Sequence, residues 1–137
     1  MVDVAGALDF IRANHHGVVA TSRADGRPAM SPIACVVDAD GRVVVSTRET
    51  AMKVKHLERD PRVAICVLAD GFFGQWVQVE GTAEIVRLPD AMDGLVDYYR
   101  RVSGEHPDWD DYRAAMERER RVLLRITVTR AGPTVSG

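Results

Sequence analysis

Long apolar runs are missing from this 137-residue chain, and none approaches the roughly 20 residues of a bilayer-spanning helix. The opening MVDVAGALDF has no basic stretch leading into a long apolar one, so no signal peptide is expected and a cytoplasmic location is. Only two cysteines occur, Cys35 and Cys66, too few for a disulfide framework. Both sit in apolar runs and are expected to act as small buried hydrophobes. Four histidines (His15, His16, His56, His106) are scattered without ligand spacing, so no metal site is expected. A formal charge of -2 gives no reason to expect nucleic acid or an anionic membrane as partner.

Lysine is scarcer still. Sixteen of the 18 basic residues are arginine, and the two lysines, Lys53 and Lys55, fall in one stretch, STRETAMKVKHLERDPR from Ser46 to Arg62. There a valine run (Val43, Val44, Val45) ends in Ser46 and Thr47, and the apolar period then changes. Ala51, Val54 and Leu57 recur at helical spacing, which predicts a helix beginning near Thr50. Thr50 can cap its start, and Asp60-Pro61 stops it, since the residue before proline is driven out of helical geometry. A strand feeding a helix start, with Arg48 and Lys53 beside it, suits a phosphate: free N–H groups, the helix dipole and a cation converge there. A compact ammonium where arginine is the rule supports that reading. A solvated cationic helix face is the alternative.

Elsewhere the chain alternates turn signals with strand-like runs. Val4, Leu8 and Ile11 place an amphipathic helix over residues 3–14, with Gly17 as its stop. Strands are expected over 18–22, 28–37 and 42–47, joined by the Asp25-Gly26 and Asp40-Gly41 turns. Residues 62–68 and 75–86 follow, with Gly81 as a bulge. Helical spacing returns over 91–102 and 109–120, and VLLRITV at 122–128 is a last strand before a tail, 131–137, expected to fray. Hairpin connections favour antiparallel pairing, and about six such strands close into a small barrel. The expectation is one mainly β domain with flanking helices: an N-terminal helix, a barrel over 17–87 and 121–130, and a helical pair over 89–120.

Several motifs carry no chemistry. Gly71-Phe72-Phe73-Gly74 precedes a strand and lacks a lysine, so it is no phosphate loop; an aromatic-tipped loop over a ligand is the better reading. Asp108, Asp110 and Asp111 stand where a helix dipole favours acids. No nucleophile elbow or Ser-His-Asp arrangement is present, and no catalytic acid or base can be named.

The run Thr21-Ser22-Arg23-Ala24-Asp25-Gly26-Arg27-Pro28 resembles the opening hairpin of the flavin-binding split-barrel superfamily of pyridoxamine 5'-phosphate oxidase-like proteins. Lys53 to Val63 and Val79-Glu80-Gly81-Thr82-Ala83 continue the resemblance. Tyr98-Tyr99-Arg100, Gly104 to Arg113 and Arg120 to Leu124 are similar to its actinobacterial branch, whose cofactor is the deazaflavin coenzyme F420. The resemblance implies a six-stranded antiparallel split β-barrel that pairs as a homodimer, with cofactor sites at the interface. It also implies an oxidoreductase that passes hydride from reduced F420 to a small-molecule acceptor. Lys53 would contact the cofactor phosphate, with Ser46, Thr47 and Arg48 beside it. Ala29, Met30, Ser31 and Pro32 would line the ring, Gln75 and Trp76 would come from the fifth strand, and Arg121 would add a cation. Ala51 stands where relatives of this branch can carry an arginine, which keeps FMN as the alternative cofactor. A carrier without catalysis is the alternative function. The C-terminal substrate arginine of true pyridoxamine phosphate oxidases is missing, which argues against that activity.

Overall fold

The structure, a computed structural model, describes residues 2–134. Helix α1 (Val4–Ala13) starts where the Asp3 carboxylate accepts the Gly6 N–H at 2.7 Å, and it buries Ala7 and Ile11. It ends at Asn14, whose backbone is already extended, and not at Gly17. Gly17 lies inside strand β1 (His16–Ser22), where a Cβ would stand 2.6 Å from the Cys66 carbonyl oxygen. Close strand approach, and not helix termination, requires the glycine.

Strand β1 turns through Gly26, at φ 86°, into β2 (Pro28–Ala34). The residues expected as one strand over 28–37 then divide. Cys35 donates its N–H to the His15 carbonyl at 2.8 Å, and Val36–Val37 leaves as a separate strand, β3. Strand β2 pairs with β1, while β3 pairs with β4 (Val43–Arg48). After helix α2 (Met52–Arg59) come β5 (Arg62–Leu68) and β6 (Trp76–Val86). Helices α3 (Met92–Ser103) and α4 (Trp109–Arg118) precede β7 (Arg121–Ala131).

The result is an antiparallel sheet of seven strands, not six, in the order β2-β1-β5-β6-β7-β4-β3. Its two ends are consecutive pieces of one run, so the sheet curls toward closure. The inner face holds Val19, Val45, Ile65, Val79, Leu124 and Ile126, with Ile11 of α1 and Val54 of α2 packed against it. A second apolar cluster forms outside, where Val44, Val36 and Leu123 meet Leu95 of α3 and Tyr112 and Met116 of α4. Strand β4 is therefore covered on both faces, which explains its unbroken valines. Gly81 does form the bulge: the β6–β7 register shifts between Glu80 and Gly81, and a Cβ there would collide with the Thr127 carbonyl. The tail is not frayed at its start. Gly132 donates to the Gln78 carbonyl at 2.8 Å, and Gln78 returns a bond to Pro133 at 3.2 Å. Residues 135–137 lie outside the described residues. Among the described residues no helix is long and apolar enough to cross a membrane.

Leu124 is fully buried at the centre of the inner core. Leu124→Ala is expected to lower unfolding free energy by about 2–5 kcal/mol in a denaturant titration, through lost burial and a residual cavity.

Candidate functional site

Strand β4 hands the chain to α2 as the sequence implies, but the helix start differs. Ala51, and not Thr50, is the N-cap, and no side chain caps the first turn. By contrast, α1 and α4 are capped by Asp3 and Asp108. At the other end Asp60 is extended before Pro61, as expected.

Lys53 lies on the first turn of α2, half-buried. Burial lowers its ammonium pKa from the usual lysine value, and the charge of Arg121 lowers it further. Among the described residues no carboxylate stands within ion-pair distance of Lys53. The arginines beside it are engaged. Arg121 meets the Glu119 carboxylate at 2.8 Å, and Arg48 reaches the same oxygen at 3.5 Å.

Two cavities adjoin this cluster. The first, about 220 Å³, runs between β2 and α2. It collects Lys53 with Ala29, Met30 and Ser31, four of the residues implied by the resemblance. The sequence reading missed its other lining residues, Thr21, Met52 and His56. His56 is buried, and its Nδ1 lies 3.0 Å from the Thr21 hydroxyl. Three residues after Lys53, it shares that helix face, and this spacing could have flagged it.

The second cavity, about 370 Å³, lies between the β4–β7 ends and the helices α3 and α4. It brings Ser46 and Arg121 together with Tyr98, Tyr99 and Tyr112. Arg121 lines this second cavity and not the first, and its charge acts on Lys53.

Other implied residues fall elsewhere within the protomer. Thr47 is buried, 6% exposed, opposite Val122 in the sheet. Pro32 is exposed on β2 and lines neither cavity. Gln75 and Trp76 line a separate cavity of about 320 Å³ against Val2 and Phe10 of the N-terminal segment. The Phe72 and Phe73 rings, 69% and 95% exposed, meet edge to face at 5.0 Å on the β5–β6 turn and line none of these three cavities.

The pyridoxamine 5'-phosphate oxidase family model matches residues 6–134. The chain belongs to this family. Among solved structures it is similar to a conserved hypothetical protein of Mycobacterium tuberculosis, at 26% identity and a TM-score of 0.78, covering all of this chain and 94% of that one. It is also similar to a protein described as an F420 reductase, at 21% identity and a TM-score of 0.71, covering 93% of this chain and 96% of that one. A putative pyridoxamine 5'-phosphate oxidase of Listeria innocua matches at 12% identity and a TM-score of 0.69, with 98% of each chain covered. At such identities the last two establish the family fold alone.

Burial raises the Tyr112 phenol to about 12, with the Tyr98 phenol adding to the shift. A phenol with a folded pKa above its unfolded value of 10 contributes stability that is complete below pH 10. That contribution is lost as pH rises from 10 towards 12, because the unfolded chain ionises first. Tyr112→Phe is therefore expected to be less stable than the wild type at pH 8, and the gap should shrink through that alkaline window. Urea titrations at stepped pH would show it; a gap independent of pH would contradict it.

Proposed function

We propose that this family member is an oxidoreductase that binds coenzyme F420 and passes hydride from the reduced deazaflavin to a small unsaturated or conjugated acceptor. It works as a cytoplasmic homodimer with the cofactor at the interface. The observation that carries this reading is Lys53: a half-buried ammonium with no carboxylate partner among the described residues, on an uncapped helix start, beside Arg121. Such a place favours an added anion twice, through the cation and through the free N–H groups of the first turn. The small residues Ala29 and Ser31 of β2 leave room beside it for a flat ring.

When bound, the deazaflavin supplies a hydride donor that no side chain can replace. The chain's own part is to hold and orient. Lys53 and the α2 start would take a phosphate, Arg48 and Arg121 would supply further cations, and Ala29, Met30 and Ser31 would lie against the ring. Ser46 lines the second cavity with Arg121, Thr47 supports that strand end from the core, and Pro32 continues the β2 edge. Gln75 and Trp76, remote from Lys53 in one protomer, would reach a cofactor only from a second copy, which supports the interface reading.

A second reading, FMN as the cofactor, is favoured by one observation. Ala51, the N-cap itself, leaves the phosphate site one cation short of what relatives in the F420 branch can carry. The F420 reductase among the similar structures supports the first reading.

Titrating cofactor-free protein with F420 and with FMN, followed by ligand fluorescence, tests both. Saturable binding of F420 alone supports the deazaflavin reading, preference for FMN moves the protein to the flavin branch, and binding of neither removes both. Lys53→Ala is expected to weaken whichever cofactor binds by about 1.5–3 kcal/mol, as for a hydrogen bond to a charged group. An unchanged affinity would take Lys53 out of the site.

A further inference from the structure

Three polar side chains are buried among the described residues, Thr21, Thr47 and His56, and two of them are bonded to each other. Thr21 is 4% exposed and His56 7%, and both line the 220 Å³ cavity that also takes in Lys53. The bond joins the Thr21 hydroxyl to His56 Nδ1 at 3.0 Å, which uses one ring nitrogen of the two. Among the described residues no group bonds the other, Nε2. Nor is Nε2 sealed in. Among those residues Arg125 Nε is the one side-chain nitrogen or oxygen both fully enclosed and without a partner. The free space that His56 lines is the cavity, so Nε2 opens onto it.

The hydroxyl decides which ring nitrogen carries the proton. If Nδ1–H donated to Thr21, the hydroxyl proton would be left in the core without an acceptor, since His56 is its only partner among the described residues. If the hydroxyl donates to Nδ1, that proton is satisfied and the ring hydrogen sits on Nε2. The second arrangement leaves a single group wanting, an Nε2–H donor turned toward the cavity. Lys53 stands three positions earlier on α2, on the same helix face. Its ammonium and the Ser31 hydroxyl are the remaining polar side-chain groups of the lining, and no carboxylate is among them. Donors and one positive charge suit an oxyanion. A carboxylate brings two oxygens in one plane. A phosphate spreads its oxygens tetrahedrally, so donors separated by a rise of about 4.5 Å along a helix can each take one.

We propose that His56 is a ligand-binding residue of this site: its Nε2–H and the Lys53 ammonium hold different oxygens of one phosphate group, and Thr21 positions the ring by fixing its tautomer. The proposal rests on the reading that Lys53 meets a phosphate, and it holds whichever cofactor carries that group. A histidine that only filled the core would answer to packing and would not sense the anion.

The test uses the full chain, free of cofactor and carrying nitrogen-15 histidine, at about pH 8, where an ordinary histidine has a single ring proton. Long-range proton–nitrogen spectra report both ring nitrogens of each of the four histidines, and the signals missing in His56→Phe are those of His56. A His56 protonated at Nε2 is expected in the free protein. Inorganic phosphate should shift its Nε2 signal saturably, and acetate at equal ionic strength should act about tenfold more weakly or less. Thr21→Val and Lys53→Ala should each weaken the phosphate response about tenfold or more, while Thr21→Ser, which keeps the hydroxyl, should retain it. A proton found on Nδ1, a linear, non-saturating shift or an undiminished phosphate response in Thr21→Val overturns the inference. If His56→Phe loses its native far-ultraviolet signal, His56→Asn makes the assignment; if Thr21→Val does, the wild-type titration carries the test. Phosphate held at His56 by protein that takes neither F420 nor FMN removes the reductase reading and keeps the anion site. Cofactor binding that leaves both His56 nitrogens unmoved does the reverse.

Discussion

The sheet depends on the bend at Cys35. One short run, from Pro28 to Val37, supplies both of its ends: β2 hydrogen-bonds to β1, and β3 hydrogen-bonds to β4. Residues on either side of a single buried cysteine thus hold opposite borders of a seven-stranded sheet, and the sheet can only curl. The bond from the Cys35 N–H to His15 keeps the backbone satisfied at the corner, where a ladder bond is given up. A thiol fits that corner because it is small and apolar, and burial raises its pKa to about 12, which keeps it neutral.

The curl also decides where the site stands. With β2 brought round toward β4, the strand carrying Ala29, Met30 and Ser31 faces the start of α2 across a narrow cavity. The Tyr98 hydroxyl, bonded to the Ala34 carbonyl, ties α3 to the same corner. The helical pair is thereby held over the ends of β4 and β7, and the aromatic cavity opens beside Ser46 and Arg121. Two concavities of different chemistry, one cationic and one aromatic, adjoin because one bend positions the elements of both.

Charge usage follows a division of labour. Arginines on this surface are mostly paired: Arg87 bridges Glu49 and Glu58, Arg120 returns to Glu49, and Arg48 and Arg121 share Glu119. Exposed pairs of this kind contribute little stability each, but they consume local charge. Lys53 is left out of that network, and burial together with the Arg121 charge lowers its ammonium pKa. Among the described residues it has no carboxylate partner, which is the observation the proposed anion site rests on.

Much of this was legible in the residues. Periodicity located the helices and most strands, Asp25-Gly26 and Asp40-Gly41 marked turns, Gly81 marked the bulge, and the Lys53 stretch with its resemblance pointed to the family. These are properties of neighbouring residues, and local physics fixes them: φ freedom at glycine, the proline stop, the period of apolar side chains. Other features depended on contacts distant in sequence. That residues 28–37 form two strands follows from partners at β1 and β4, and no local signal separates them. Gly17 looked like a helix stop but answers to the Cys66 carbonyl on another strand. Thr21 reaches the α2 face of Lys53 and His56 from 35 positions before His56, and the tyrosines meet Arg121 only once α3, α4 and β7 have packed. The sequence by itself determined the helices, most of the strands, the family and the lysine at the helix start. Tertiary structure decided which side chains share a cavity, because that is set by sheet register and helix packing, to which each residue contributes only a small part.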